Sequence, residues 1–167
     1  MKKKFLGCFA FLFACVSVVL FAAGCGAQEK EFSHESGVSV TLTTDFEEYQ
    51  ASGFDYALTS SSVMFIAKKE TFDVIESAGY DTNMSLNDYA ELCVTNNLLS
   101  STVEVDEESG LTYFVYNKSV QGDKYSYVAF VFKGTDAFWL CQFACLEQSY
   151  DNQESKIFDW ATTIEVA

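Results

Sequence analysis

The sequence predicts an α+β fold, an antiparallel β-sheet covered by helices on both faces. Three observations point to it. First, Leu111 to Leu146 reads LTYFVYNKSVQGDKYSYVAFVFKGTDAFWLCQFACL, three aromatic and β-branched runs joined by short Gly/Asp turns, the pattern of an antiparallel meander. Second, the last two runs are apolar on both sides. Val128, Phe130 and Phe132 point one way, and Tyr125, Tyr127, Ala129 and Val131 the other. Trp139, Cys141, Phe143 and Cys145 share one face, and Phe138, Leu140 and Ala144 the opposite one. A strand with one wet face would alternate apolar and polar residues, so both faces of this sheet need cover. Third, helical spacing occurs before and after the meander, which supplies that cover.

The chain opens on a leader. Lys2, Lys3 and Lys4 precede an almost unbroken apolar run from Phe5 to Ala23, followed by Gly24 and Cys25. Small residues before a cysteine resemble the lipobox of bacterial lipoprotein signal peptides, with Ala22 where leucine is usual. The resemblance implies a signal peptide over residues 1–24, cleavage before Cys25, and a diacylglycerol thioether on its sulfur. Two or more acyl chains, palmitate among them, give a stable anchor where one would be marginal. An uncleaved transmembrane helix is the alternative, since the apolar run is long enough to span a bilayer. It would not need small residues and a cysteine at that place. Residues 25–35 read as a lipidated N-terminus and polar tether, and residues 36–167 as a single domain.

Composition narrows the function. Three of the ten lysines lie in the leader, so seven lysines stand against 24 acidic residues in the mature chain, a net charge of −17. Arginine is absent. Such a chain repels phosphate backbones and lacks the guanidinium fork that grips them, which argues against nucleic acid as a partner. No polybasic patch supports membrane binding, so the lipid on Cys25 is the expected link to the membrane, on its extracytoplasmic face.

The elements follow in order. Val38, Val40 and Leu42 alternate with Ser39 and Thr41, a half-buried strand. Residues 53–58 and 63–67 are the next strands, with Ser60-Ser61-Ser62 as their turn. From Glu70 the period changes: Phe72 and Ile75 suit a short helix that Gly79 ends. Ser85-Leu86-Asn87-Asp88 resembles a capping box and opens a helix with Leu86, Tyr89, Ala90, Cys93, Val94, Asn97 and Leu98 on its stripe. Val103 and Val105 alternate before a charged turn at residues 106–110. Ser149 or Asp151 would cap a last helix with Ile157, Phe158, Ala161 and Ile164 on its apolar stripe.

Several of these segments together resemble the Mog1/PsbP-like family, which includes lipoproteins of the DcrB kind. They are Phe32 to Leu42, Ser85 to Ala90, Tyr125 to Phe132, Gly134 to Cys145, and Phe158 to Ile164. Thr43 stands where members often carry proline. The resemblance implies an α/β/α sandwich with no shared catalytic residues, and members that bind partner proteins.

No catalytic constellation emerges, and the chain reads as a non-enzyme with no cofactor and no metal site. The one histidine, His34, sits on or beside the tether, far from any nucleophile that would need it as a base. Cys141 and Cys145 are four apart on a strand, about 13 Å, too far for one zinc ion. Asp81 to Ser85 lacks the glycine and glutamate of a calcium loop and reads as a helix cap. Glu104, Asp106, Glu107 and Glu108 read as a solvated hairpin edge. Two readings of Cys93, Cys141 and Cys145 stand: one disulfide from Cys93 to either of the others, or three small core hydrophobes. Two also stand for Tyr113, Tyr116, Tyr125 and Tyr127: an interaction face, or cross-strand packing. The expected role is binding or stabilising a protein partner at the cell surface. The alternative is a small apolar or cationic ligand in a pocket between sheet and helix.

Overall fold

The computed structural model describes residues 28–167. The leader and Cys25 lie outside them. Seven strands form one antiparallel sheet: β3 (Glu47–Glu48), β4 (Tyr56–Thr59), β5 (Val63–Thr71), β6 (Val103–Val105), β7 (Thr112–Val120), β8 (Asp123–Lys133) and β9 (Ala137–Leu146). Their spatial order is β3-β4-β5-β9-β8-β7-β6, which puts β9 at the centre. The expected meander is one half of this sheet, and β5 pairs with β9 on its other side from Val63 opposite Cys145 to Thr71 opposite Ala137. Strand β5 runs past Ala67 through Lys68, Lys69 and Glu70. These polar residues remain in register because β9 satisfies their backbone groups.

Three more strands, β1 (Glu29–Ser33), β2 (Val38–Thr43) and β10 (Glu165–Val166), make a small sheet in the order β1-β2-β10. Strand β1 lies in the segment expected to be a tether. Only its Phe32 is buried, so the alternation is hidden among charges. The strand is held by pairing with β2, Phe32 opposite Val40.

Both faces of the large sheet are covered, as its patterning requires, but by unlike layers. One face carries two helices, α1 (Phe72–Ser77) and α2 (Leu86–Asn96), over Ala129, Val131, Phe114 and Phe138. The other carries α3 (Tyr150–Ala161) together with the small sheet, over Phe65, Val128, Phe130, Trp139 and Phe143. The expectation of helices on both sides is thus met on one side by helices alone and on the other by a helix and a sheet.

The second layer is rich in aromatic rings. Phe65 and Phe130 pack on Phe143 at 5.0 and 6.3 Å, and Phe143 meets Trp160 of α3 at 6.0 Å. Phe130 meets Phe158 edge-on at 5.3 Å. Each fully buried ring contributes about 1.5–3 kcal/mol by leaving water.

Local chemistry fixes the ends of the elements. At α1, Tyr80 N–H donates to Ile75 O (3.1 Å) and Gly79 N–H to Glu76 O (2.9 Å), with Gly79 at φ +88°. These are the two bonds of a Schellman stop. At α2 the capping box forms: Ser85 Oγ accepts from Asp88 N–H (3.1 Å), and Asp88 Oδ2 accepts from Ser85 N–H (3.2 Å). Gln121 and Gly122, at φ +54° and +101°, make the two-residue turn from β7 to β8, which needs positive φ at both positions. Helix α3 departs from expectation. Ser149 makes no side-chain cap and Asp151 lies inside the first turn, because a 3-10 turn, Glu147–Ser149, feeds directly into the helix.

Candidate binding surfaces

Helix α2 ends in a second Schellman stop: Leu99 N–H donates to Val94 O (3.0 Å) and Leu98 N–H to Thr95 O (3.1 Å). The left-handed position, φ +54°, belongs here to Leu98. Helical spacing assigns Leu98 to the buried stripe, but the chain leaves the helix at Asn97 and turns it outward, 91% exposed. Val74 and Tyr80 of the α1 region are exposed too, at 58% and 39%. They line a shallow groove of about 140 Å³ that reaches Asn97, next to Leu98.

Helices α1 and α2 cover only part of their face. Beyond the C-terminal end of α2 a cleft of about 480 Å³ opens on the sheet. Its floor is Phe114, Tyr116, Leu140 and Gln142; its walls are Leu99 after α2 and Phe54 before β4. Lys68 and Glu70 stand at one end by strand register, and Lys118 at the other. Glu70 Oε2 accepts a 2.6 Å hydrogen bond from the buried Tyr89 hydroxyl, and Lys68 pairs with Asp55 at 3.2 Å. The pocket expected between sheet and helix exists, but two lysines on its wall suit it poorly to a cation.

The four tyrosines do not form one face. Tyr116 and Tyr127 sit opposite each other on the α1/α2 side, stacked at 4.8 Å and 7°, and Tyr125 shares their side by register. Tyr113 is on the other side, edge-on to Phe158 of α3 at 4.9 Å. Alternation along β7 separates Tyr113 from Tyr116, which are three positions apart. All but Tyr127, which is buried, are half-buried. Burial raises the Tyr116 pKa, with Tyr127 adding to it; burial, then the Glu104 carboxylate that accepts its hydroxyl at 3.0 Å, takes Tyr113 to about 12.

Cys93, Cys141 and Cys145 are free, buried and divided. Cys93 of α2 belongs to the core on one side of the sheet, while Cys141 and Cys145 of β9 belong to the other. A bridge from Cys93 to either would have to pass through the sheet, so the disulfide reading is corrected and the core reading stands. Burial takes the Cys93 thiol to about 12 and raises Cys141 and Cys145 as well, which keeps all three as unreactive thiols.

The remaining sites resolve into structure. His34 stacks on Tyr56 at 4.6 Å, and its Nδ1 lies 2.8 Å from Ser36 Oγ. Asp81 accepts from Asn83 N–H at 2.8 Å in the loop before α2, so it shapes that turn. Asp106 accepts from the Ser109 hydroxyl at 2.5 Å and from Ser109 N–H at 2.7 Å, and these bonds hold its carboxyl below the usual range. Among the described residues no three His, Cys, Asp or Glu side chains are grouped to hold a metal ion, and no helix is long and apolar enough to cross a membrane. Sequence reasoning missed Leu98, whose exposure depends on where α2 stops, and Gln142, a polar residue on an otherwise apolar central strand.

Two layers of unlike cover on a seven-stranded antiparallel sheet define the class: this is the α+β Mog1/PsbP-like fold. Several solved structures share it. The solution structure of cyanobacterial PsbP (CyanoP) from Synechocystis sp. PCC 6803 superposes with a TM-score of 0.54 at 11% identity, over 87% of this chain and 99% of that one. A crystal structure from Bacteroides thetaiotaomicron VPI-5482 gives a TM-score of 0.55 at 14% identity, over 84% of this chain. This chain spans about half of that protein's length, 49%. No family model matches the sequence, and no curated protein matches it.

Proposed function

We propose that this chain is a non-catalytic binding domain, held by lipid on Cys25 at the extracytoplasmic face of the cell membrane, where it binds or stabilises a protein partner. The observation that carries the reading is Leu98. A leucine at φ +54° is strained relative to glycine, and one that is 91% exposed gains nothing from burial within the chain. An apolar side chain held outward under both penalties is accounted for if a partner covers it, and the exposed Val74 and Tyr80 beside the adjoining groove extend the surface such a partner would bury. The lipobox at Ala22-Ala23-Gly24-Cys25 supports the anchor, and the partner-binding habit of the family it resembles supports the role.

A photocrosslinking residue at position 98, used in living cells, tests this reading. It is expected to capture one stoichiometric companion that the same residue at Lys156, on the opposite layer, does not capture. Identical or empty patterns at both positions would sink the partner reading. Cys25→Ala is expected to release the protein from membranes; a variant that stays bound would defeat the lipid anchor.

A second reading has its own observation. The cleft between α2 and the sheet, about 480 Å³, is within the range of small-molecule sites and sets the apolar Phe114, Leu99 and Leu140 among polar and charged side chains. On this reading the chain carries a small ligand there.

A further inference from the structure

We infer that the cleft beside α2 binds a small amphipathic carboxylate, an organic acid whose charged end meets Lys118 and Gln142 and whose apolar body lies on Phe114, Leu99 and Leu140. The inference rests on the small-ligand reading of that cleft and names the ligand's chemistry. Its starting point is Gln142. This side chain is 4% exposed, on the central strand, with apolar neighbours. Its Oε1 accepts the Tyr116 hydroxyl proton at 2.7 Å. Among the described residues nothing accepts from its Nε2, and Gln142 belongs to the cleft lining. That nitrogen is reached by solvent from the cleft, so a ligand's acceptor would take the place of water there. With its oxygen taken by the Tyr116 hydroxyl, the amide offers N–H donors to the cleft, so the group it suits is an acceptor.

Charge then decides between a neutral acceptor and an anion. The mature chain is strongly acidic, so most of its surface repels anions. Lys118 follows Tyr116 by two positions and shares its face and the cleft. It has no ion-pair partner among the described residues, while Lys68, Lys69 and Lys124 each have one. The one carboxylate on the wall, Glu70, is at the far end and tied to Tyr89. A carboxylate near Tyr116 would therefore take a charge-assisted bond from Gln142 and the charge of Lys118 without meeting Glu70. Phe114 and Leu140 lie between these ends and accept a ring or a short aliphatic body of a few carbons.

The test is a titration of the full-length lipidated protein in nanodiscs, nitrogen-15-labelled at glutamine, with empty nanodiscs as blank. The probes are 3-phenylpropionate, 3-phenylpropanamide and 3-phenylpropylammonium, which differ only in their charged end. The carboxylate is expected to shift the Gln142 side-chain amide resonances saturably, with the amide about tenfold weaker and the ammonium weaker still. Lys118→Gln is expected to weaken the carboxylate about five- to tenfold, and Lys124→Gln, on the neighbouring strand, to leave it unchanged. If the amide or the ammonium binds as tightly as the carboxylate, the ligand class falls and the small-ligand reading stands. If none of the three gives a saturable shift, both fall. A Lys118→Gln variant that binds the carboxylate like the parent overturns the orientation and with it the proposal.

Discussion

The two faces of the seven-stranded sheet are built to different ends. On the α3 side, rings from β5, β8 and β9 interlock with rings from α3, and a second sheet closes the edge. On the α1/α2 side the cover is a helix of under two turns and one of about three, and it stops short. Polar groups reach into the interior there: Glu70, Gln142 and the Tyr89 hydroxyl. Apolar side chains turn outward: Val74, Tyr80 and Leu98. The lesson is a division of labour within one sheet. The closed face supplies stability, which lets the other tolerate a strained Leu98 and outward apolar side chains that binding can use.

The sharpest way to break this comparison is to hollow each face in turn. Phe143→Ala on the closed face is expected to lose about 3–5 kcal/mol of stability in urea unfolding, because ring neighbours on three elements cannot collapse into the space. Val94→Ala under α2 is expected to lose about 1–2 kcal/mol. Equal losses would show that the two faces bear the fold alike.

Alkaline pH tests the same contrast more gently. The Tyr89 pKa is raised above its ordinary 10.0, by burial first, then by Cys93 and Glu70. Unfolded tyrosine loses its proton near pH 10 while folded Tyr89 keeps it, so the folded state binds more protons above that pH. Stability is therefore whole below about pH 10 and falls above it, by about 1.4 kcal/mol per pH unit for each such tyrosine. Urea midpoints measured from pH 8 to 12 should show this fall. Tyr89→Phe should make it shallower by one group and, at pH 7, lower stability by about 1 kcal/mol through the lost bond to Glu70. An unchanged slope would mean that Tyr89 titrates freely and that its side is already open to water.

The smallest effect runs the other way. Leu98→Gly is expected to raise stability by about 0.5–1 kcal/mol, since glycine adopts φ +54° without strain. It should also weaken capture of the partner. A destabilised variant would show that Leu98 packs within the chain after all.

Much of this was legible in the sequence, and the gaps have physical causes. The unbroken apolarity of β8 and β9 announced cover on both faces, and single residues announced the ends of helices: Gly79 for α1, and Ser85 with Asp88 for α2. What covered the second face was not legible, because Val38, Val40 and Leu42 alternate identically whether β2 joins the main sheet or a separate one. Strand β1 was hidden because pairing with β2, and not its own pattern, defines it. Leu98 gave no sign, since its spacing continues the stripe and only the missing glycine marks where α2 stops. The division of the tyrosines was readable from parity along β7; the division of the cysteines was not, since it depends on which side α2 docks. The cleft was expected in place but not in chemistry, because Lys118 and Gln142 meet Leu99 only after the sheet and α2 have assembled.

The placing of the thiols gives the molecule two internal clocks. Sulfur reacts as a thiolate and only when a reagent can reach it. Cys93 borders the groove beside α1, so a slight loosening of α2 bares it, whereas Cys141 is reached only when α3 and the small sheet part from β9. Alkylation therefore times the opening of each side separately, in the native chain and without added probes. If the closed face is the more durable one, Cys93 is marked first, and the interval before Cys141 follows measures how long the core outlives its looser half.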